Sequence, residues 1–471
     1  MAKLGYPFTL GVASGEPLPD GVIIWTRLAP DPLSRTPDRP GGMPDESVLV
    51  RWQVAEDEAF TRVAAEGRAV ANQAWAHSVH VRVSGLRPGT EYFYRFGVGE
   101  PFENTASPVG RTKTAPARDA ETPVRFGMVS CQRYEHGYYT AYRHLAAERP
   151  DLVVHLGDYI YEYGKPARPA PGRYVRKLEP PEAECKTLQA YRNRYARIKM
   201  DPDLQAAHAA APWVTIWDDH EVKDNYRGRL PGDGSNQAAF LRRRTAAYRA
   251  YYEHLPLRVR PSGDGLQMYR WRPYGKAADF HLLDTRQYRT NDSMLGADQE
   301  RWLITRLQDS EARWRVLAQP LFFSRRLFPG SPPTMSADAW DAFPAQRGRV
   351  LDAAREAGTP DLVVLSGDVH NHWAAEVLAN FDAPDAPPLG VEFVCSSVTS
   401  APPAVDPDAV MRLNPHIKFF DGRRGYVMCE ATTESFTAEY RAVDFVDRPD
   451  APVRTVARFT VEDGRLKRAD V

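Results

Sequence analysis

The stretch DLVVHLGDYIYEYG, residues 151–164, limits what this chain can fold into more than any other. LVVHL is short, branched and apolar, the texture of a strand covered on both faces. It then stops on Asp158. An unpaired carboxylate at the end of a buried strand costs on the order of several kcal/mol. Capping the next helix offsets that cost, and so does binding a cation. Runs of the same kind recur as VRFGMVS (124–130), WVTIW (213–217), DFHLLDT (279–285), RVLAQ (315–319) and DLVVLSG (361–367). Amphipathic segments at 138–149, 187–200, 235–253 and 297–312 lie between them. The alternation predicts an α/β sheet with helices on its faces. The closing runs VEFVCSSV, GYVMCEA, SFTAEYRAV and VRTVARFTV predict a further sheet of the same sandwich.

Residues 1–115 have a different texture. GVIIWTRL, SVLVRWQVA, SVHVRVSGL and EYFYRFGV are strand-like runs broken by Gly, Pro and Asp turns, which predicts a β-sandwich. Leu86, Pro88, Thr90 and Tyr92 in LRPGTEYFYRF have the arrangement of a tyrosine corner, so this region resembles a fibronectin type III domain. TKTAPARDAETP (112–123) reads as a linker, dividing the chain into an N-terminal domain at 1–115 and an α/β domain at 116–471. A chain of 471 residues is too long for one ordinary core. Lys plus Arg equals Asp plus Glu at 61 each, so no global charge singles out nucleic acid or an anionic membrane as partner. No apolar stretch reaches the length of a membrane span. Cys131, Cys185, Cys395 and Cys429 are too few for a disulfide framework, and Cys395 and Cys429 sit in strand-like runs as core residues or as a pair. The opening MAKLGYPFTLGVASG enters a strand at once, as a mature chain behind a start methionine or a cytoplasmic protein would.

The α/β runs end on polar residues. Ser130, Cys131 and Gln132 close the first, and Asp158 and Tyr161 the second. Asp218, Asp219, His220 and Glu221 come after WVTIW, Gln319 closes RVLAQ, and Asp368, His370 and His372 come after DLVVLSG. Strands of an α/β sheet open their carboxyl ends on one crevice, so these residues can share a site. Any one of them is as readily a cap or a packed core group as a ligand. Capping alone does not account for the set, because one strand after another delivers such a residue to the same edge. His136, His155, His208, His254, His281 and His416 carry no functional expectation.

GDYIY, DDHE and GDVH resemble the motifs of the dinuclear metallophosphoesterases, whose general pattern is Asp, GDxx, GNHE and GHxH. The Gly-Asp-x-x-Tyr form is similar to the purple acid phosphatases. SCQ, GDYIYE, WDDHEV, LLDTRQYR, VLAQ and SGDVH, behind a β N-terminal domain, together resemble the PhoD-like alkaline phosphatases along essentially the whole chain. That resemblance implies a phosphomonoesterase or phosphodiesterase with a two-metal Fe3+ and Ca2+ centre and a metal-bound hydroxide. It assigns Cys131, Asp158, Tyr161 and His370 to iron, and the shared Asp158 with Asp219 and Asp368 to the second metal. Three anionic donors suit a trivalent ion, and a tyrosinate, with a free pKa of about 10, needs a strong Lewis acid at neutral pH. Asp219 and Asp368 stand where the general pattern has Asn and His, which moves the preference toward Ca2+ ahead of Mn2+, Mg2+ or Zn2+. Gln319 occupies a histidine position of the purple enzymes and is expected to bond a metal-bound water. Asn225, with Asp224, is a candidate ligand for a further calcium.

The same resemblance makes His220 the general acid or phosphate clamp, with Glu221 orienting its ring, and gives Arg133, Arg286 and Arg289 the charge of the transferring group. His372 is expected behind the ligands. The implied partner is a small phosphate ester, mono- or diester. The chain ends at RLKRADV soon after a strand, and a site left open there would admit bulkier diesters, phospholipid headgroups included. A phospholipase D-type diesterase on this scaffold is the alternative, and a non-enzymatic calcium-dependent adhesion protein is the alternative of another class. KPARPAPGRYVRKLEPPEAECK (165–186) is expected to border the crevice as a lid. The family resemblance further implies twin-arginine export to a periplasmic or secreted location.

Overall fold

In the computed structural model, which describes residues 5–99, 105–166, 174–178, 183–358, 361–383 and 387–470, the apolar runs are strands that divide their side chains between two cores. Along Leu362–Ser366, Val363 and Leu365 enter one cluster while Leu362 and Val364 enter another. Trp314–Ala318 does the same, with Val316 and Ala318 opposite Leu317. Period-two burial on both faces requires a cover on each. A second sheet covers the inner face: Phe126 of Val124–Val129 meets Phe280 of Ala278–Leu282 with ring centroids 5.1 Å apart. Helices Gly296–Asp309 and Pro344–Glu356 cover the outer face with Leu303, Leu307, Val350 and Leu351. The architecture is an α/β sandwich of two mixed sheets flanked by helices.

The six runs expected in one sheet divide between two. Val124–Val129, Leu152–Leu156 and Pro212–Ile216 run parallel in a ten-stranded sheet. Ala278–Leu282, Trp314–Ala318 and Leu362–Ser366 run parallel in a seven-stranded one, which Pro388–Val394 and His372–Leu378 extend. The closing strands make no sheet of their own. Gly425–Ala431 pairs antiparallel with Val124–Val129, and Phe436–Val443, Val453–Glu462 and Arg465–Ala469 continue outward from it. A parallel bridge between Ser130 and Ser397 ties the two sheets together at the carboxyl ends of their strands. All four cysteines are buried and free, so Cys395 and Cys429 are core residues and not a disulfide.

The N-terminal strands are not isolated from this framework. Val12–Leu18 pairs in parallel with Pro212–Ile216, so Val12–Leu18, Gly21–Arg27 and Ser78–Ser84 complete the ten-stranded sheet. A four-stranded sheet of Val63–Ala71, Val48–Ala55, Glu91–Val98 and Gly110–Lys113 packs on them through Val22, Ile24, Val50, Val54 and Tyr94. The tyrosine corner is present: the Tyr92 hydroxyl accepts the Arg87 N–H at 2.9 Å. Trp25 is fully buried and donates its indole N–H to the Glu253 carbonyl, 3.2 Å away on helix Gln237–His254.

A chain beginning at residue 116 would lose the strand that covers the Pro212–Ile216 edge, together with Trp25. Open apolar edges aggregate. Residues 116–471 expressed alone are expected to be insoluble or to melt roughly 10 °C or more below the full chain, at ~2–4 °C per kcal/mol. Equal melting temperatures by calorimetry would show that the first 115 residues are only an appendage.

Candidate metal centre

Three of the chain segments that reach the shared sheet edge turn there in the left-handed region. Cys131 has φ 56°, Asp158 57°, Asp368 62° and His370 58°. Such conformations cost a non-glycine residue about 1–3 kcal/mol and persist only where the surroundings impose them. All four are residues expected as ligands. At Gly157 the φ is 91°, and a Cβ would lie 2.6 Å from the Cβ of Asp218, so the approach of these two loops demands glycine.

The buried Glu221 carboxylate holds the turns. It accepts the N–H groups of Asp158 at 3.1 Å, Tyr159 at 2.5 Å and Asp218 at 2.7 Å. The expectation that Glu221 orients His220 is therefore corrected: its position one turn beyond Asp218 directs it back onto these backbone donors. The partner of His220 is instead Glu162, whose Oε2 lies 2.8 Å from Nδ1 while Oε1 accepts the Asp224 N–H at 2.7 Å. Glu162 closes the GDYIYE motif and is 1% exposed, and a glutamate closing that motif was the available signal.

Two donor groups form at the edge. Cys131, Asp158 and His370 place ligand atoms within 4.8 Å of one another, and Asp158, Asp219 and His220 do so under the same limit. Asp158 belongs to both. The Tyr161 hydroxyl stands 2.7 Å from Asp158 Oδ2 and 3.0 Å from His370 Nε2, with Ser400 Oγ at 2.8 Å. His370 Nδ1 faces the Ala401 carbonyl at 3.0 Å. A carbonyl only accepts, so Nδ1 carries the ring proton and the Nε2 lone pair faces the cluster. Asp368 lies outside both groups, but its charge acts on Cys131 and Asp218. Burial, then Asp338 and Asp219, push the Asp368 carboxyl up to about 7.

These donors fit a cation. Asp158 Oδ1 and Asp218 Oδ2 are buried and have no hydrogen-bond partner among the described residues. Burial, and next the Asp158 carboxylate, push the Cys131 thiol and the Tyr161 phenol well above their ordinary ranges. Burial also raises Asp158, opposed by His220 and reinforced by Asp219 and Asp218. A buried set of acidic donors whose anionic forms are destabilised by each other is stabilised by added positive charge.

Several expected site residues have other roles. Arg286 is fully buried and donates to Asp218 at 2.5 Å, Asp219 at 3.4 Å and Asp338 at 2.7 Å, so it is engaged by carboxylates rather than presented to a ligand. Arg289 joins it on Asp338 at 2.5 Å. Gln319 bonds within the fold: its amide nitrogen donates to the Leu321 carbonyl and to Ser366 Oγ, while its oxygen accepts from Leu321 N–H and Trp340 Nε1. Asn225 is exposed and reaches Asp219 through its backbone N–H at 2.6 Å, its side chain turning to Asp224. Arg133 donates to Glu135 at 2.9 Å and lies over the rings of Tyr163 and Tyr161. His372 is buried behind the ligands and accepts the Ser396 N–H at 3.0 Å. Residues 167–173 and 179–182 of the expected lid lie outside the described residues. Nearby, the Val175 N–H donates to the Glu135 carbonyl at 2.9 Å and Arg176 pairs with Asp201 at 2.8 Å. Ser400 and Asp338 join the site without having been expected there. Ser400 comes after the strand Pro388–Val394 in CSSVTS, the same placement that marked the other residues.

The sequence model described as PhoD-like phosphatase matches residues 126–440, and that of the PhoD-like phosphatase N-terminal domain matches 2–116. Alkaline phosphatase D of Bacillus subtilis (strain 168) is 47% identical over 487 residues, covering 97% of this chain and 81% of that protein. Purple acid phosphatase 15 of Arabidopsis thaliana is 31% identical over 83 residues, 17% of this chain and 15% of its own. A solved structure of PhoD has a TM-score of 0.93 at 45% identity, covering 99% of this chain and 92% of that one. The purple acid phosphatase PPD1 from yellow lupin (Lupinus luteus) seeds shares the fold, with a TM-score of 0.61 at 13% identity over 97% of this chain and 73% of that one.

Glu162 and Glu221 are separable by mutation. Glu162→Ala frees the His220 ring and is expected to lower turnover about 100-fold or more with the metals retained. Glu221→Ala leaves that bond in place but removes the acceptor of three backbone N–H groups, at ~1–3 kcal/mol each, and should lower the melting temperature markedly. Turnover measured beside metal content reads the first effect, and thermal melting the second. The reverse assignment would return the orienting role to Glu221.

Proposed function

The chain belongs to the PhoD-like phosphatase family and is a metal-dependent ester hydrolase of the alkaline phosphatase and phosphodiesterase type; on that premise we propose that its centre takes Fe3+ beside Ca2+ and acts on small phosphate mono- or diesters. The non-catalytic adhesion reading falls with that assignment. The observation that carries the proposal is the membership of Asp158 in both donor groups, at a strained turn held by Glu221.

Cys131, Asp158, Tyr161 and His370 would hold iron, since thiolate and phenolate beside a carboxylate match a trivalent ion. Asp158, Asp219 and Asp368 would hold calcium through oxygen. When bound, such a pair supplies Lewis acidity toward phosphate oxygens and lowers the pKa of an attacking water. The protein's own part begins with His220. Its Nδ1–H is held by Glu162, and its ring packs 4.3 Å from that of Tyr161, leaving Nε2 to give a proton to the departing oxygen. Arg133, over the Tyr161 ring, would meet phosphate oxygens at the rim. Arg286 keeps Asp218 and Asp219 aligned. The resemblance that supports the metals also supports export to a periplasmic or secreted location. Among the described residues no helix is long and apolar enough to cross a membrane.

The iron assignment has a spectroscopic test. Purified protein should show a charge-transfer band that Tyr161→Phe shifts or removes; a colourless, fully active zinc protein would refute it. A calcium-selective chelator should abolish turnover of both a monoester and a diester, with calcium restoring it better than zinc. Activity indifferent to the chelator would remove calcium from the proposal.

A further inference from the structure

The arginines expected to carry charge at the metal centre are already held by carboxylates. Arg286 meets Asp218, Asp219 and Asp338, Arg289 meets Asp338, and Arg133 meets Glu135. Arg326 differs. It lies between strand Trp314–Ala318 and helix Pro344–Glu356 and is 7% exposed. Its backbone N–H donates to Asp341 at 2.9 Å, but its guanidinium has no ion pair and no hydrogen bond among the described residues.

Packing places this side chain beside the centre. The guanidinium carbon lies 4.3 Å from the ring centroid of Phe322, 4.9 Å from that of Phe328 and 5.9 Å from that of Trp373. Phe322 and Trp373 share a cluster with Val369, the residue between Asp368 and His370. Burial pulls the Arg326 pKa down to about 10, and Asp368 is the first carboxylate to oppose this, ahead of Glu392 and Asp341. The last two are engaged elsewhere. Glu392 accepts from the Phe323 and Ser324 N–H groups and the Ser366 hydroxyl, and Asp341 from Arg347 and the Arg326 backbone. Asp368 is the proposed calcium ligand.

Ring faces attract a guanidinium but leave its N–H groups without acceptors. Nε of Arg326 is enclosed and takes no ligand. Nη1 and Nη2, equally without partners, keep a solvent-accessible surface. These are the two donors at the end of the fork, which bind oxyanions side by side. We infer that Arg326 is a substrate-binding residue, its Nη1 and Nη2 donating to non-bridging oxygens of the phosphate held at the metal centre. It approaches from the side of Asp368, and Arg133 over Tyr161. The inference rests on the phosphate-ester reading above. A cation buried without a protein partner serves binding at the expense of stability, and that makes the role testable.

Arg326→Met keeps a stem against Phe322 and Phe328 and removes the fork. In calorimetric titration of the metal-loaded enzyme, this variant should bind inorganic phosphate about 10–100-fold more weakly than wild type, with metal content unchanged. Its kcat/KM for a monoester and a diester should fall at least as far. Its melting temperature without phosphate should equal or exceed that of wild type, the opposite of what an arginine needed for folding would give. Arg326→Gln repeats the measurements should the Met variant fail to fold. Unchanged phosphate affinity in a folded variant overturns the inference and leaves the ester reading standing. Loss of metal, a lower melting temperature without phosphate, or failure of both variants to fold makes Arg326 structural and overturns it as well. Phosphate bound through Arg326 by a wild type that hydrolyses neither ester would sustain the inference and overturn the substrate reading instead.

Discussion

The site depends on one carboxylate that never needs to touch a ligand. Glu221 gathers the backbone N–H groups of Asp158, Tyr159 and Asp218, and so joins the loops of two neighbouring strands. Burial raises its carboxyl to about 8, against the pull of these backbone hydrogen bonds, which favour the anion. Removing it would release two turns at once. The left-handed conformation of Asp158 is therefore imposed by a long-range contact and not by local preference.

Around that clamp the protein concentrates acidic groups, most of them buried. Arg286 answers part of their charge by reaching Asp218, Asp219 and Asp338 together. Asp219 shows the result: burial alone would raise it, yet Arg286 and His220 hold it down to about 2. Asp158 and Cys131 have no comparable guanidinium and are pushed the other way, and burial pushes Asp218 up even beside Arg286. Arg286 offsets part of the cluster, and the rest is left acidic, where cations have most to gain.

The framework that fixes these distances extends beyond the catalytic strands. Val12–Leu18 continues the sheet alongside Pro212–Ile216, the strand that leads directly into Asp218, Asp219 and His220. Glu16, at φ 54°, is buried between Arg270 and Arg272 and links this strand to the edge of the seven-stranded sheet. The N-terminal strands thus buttress the loop that carries half the site.

The sequence alone determined the strands, because period-two apolar runs such as LVVHL and LVVLS can be buried only between two covers. It also determined which residues reach the edge, since Cys131, Asp158, Asp219 and His370 come just after strands, and it marked Tyr92 as a corner. Partnership was left to tertiary structure. Period says which face a side chain takes but not which sheet a strand joins, so six runs expected in one sheet divide between two. Glu221 and Glu162 are both one short step from the ligands in sequence, yet one binds backbone and the other binds His220, because only the packed loops decide which donors a buried carboxylate meets. Gln319 and Arg286 differ from expectation for the same reason. A polar group at a strand end bonds whatever the neighbouring chain brings within about 3 Å, and that neighbour is distant in sequence.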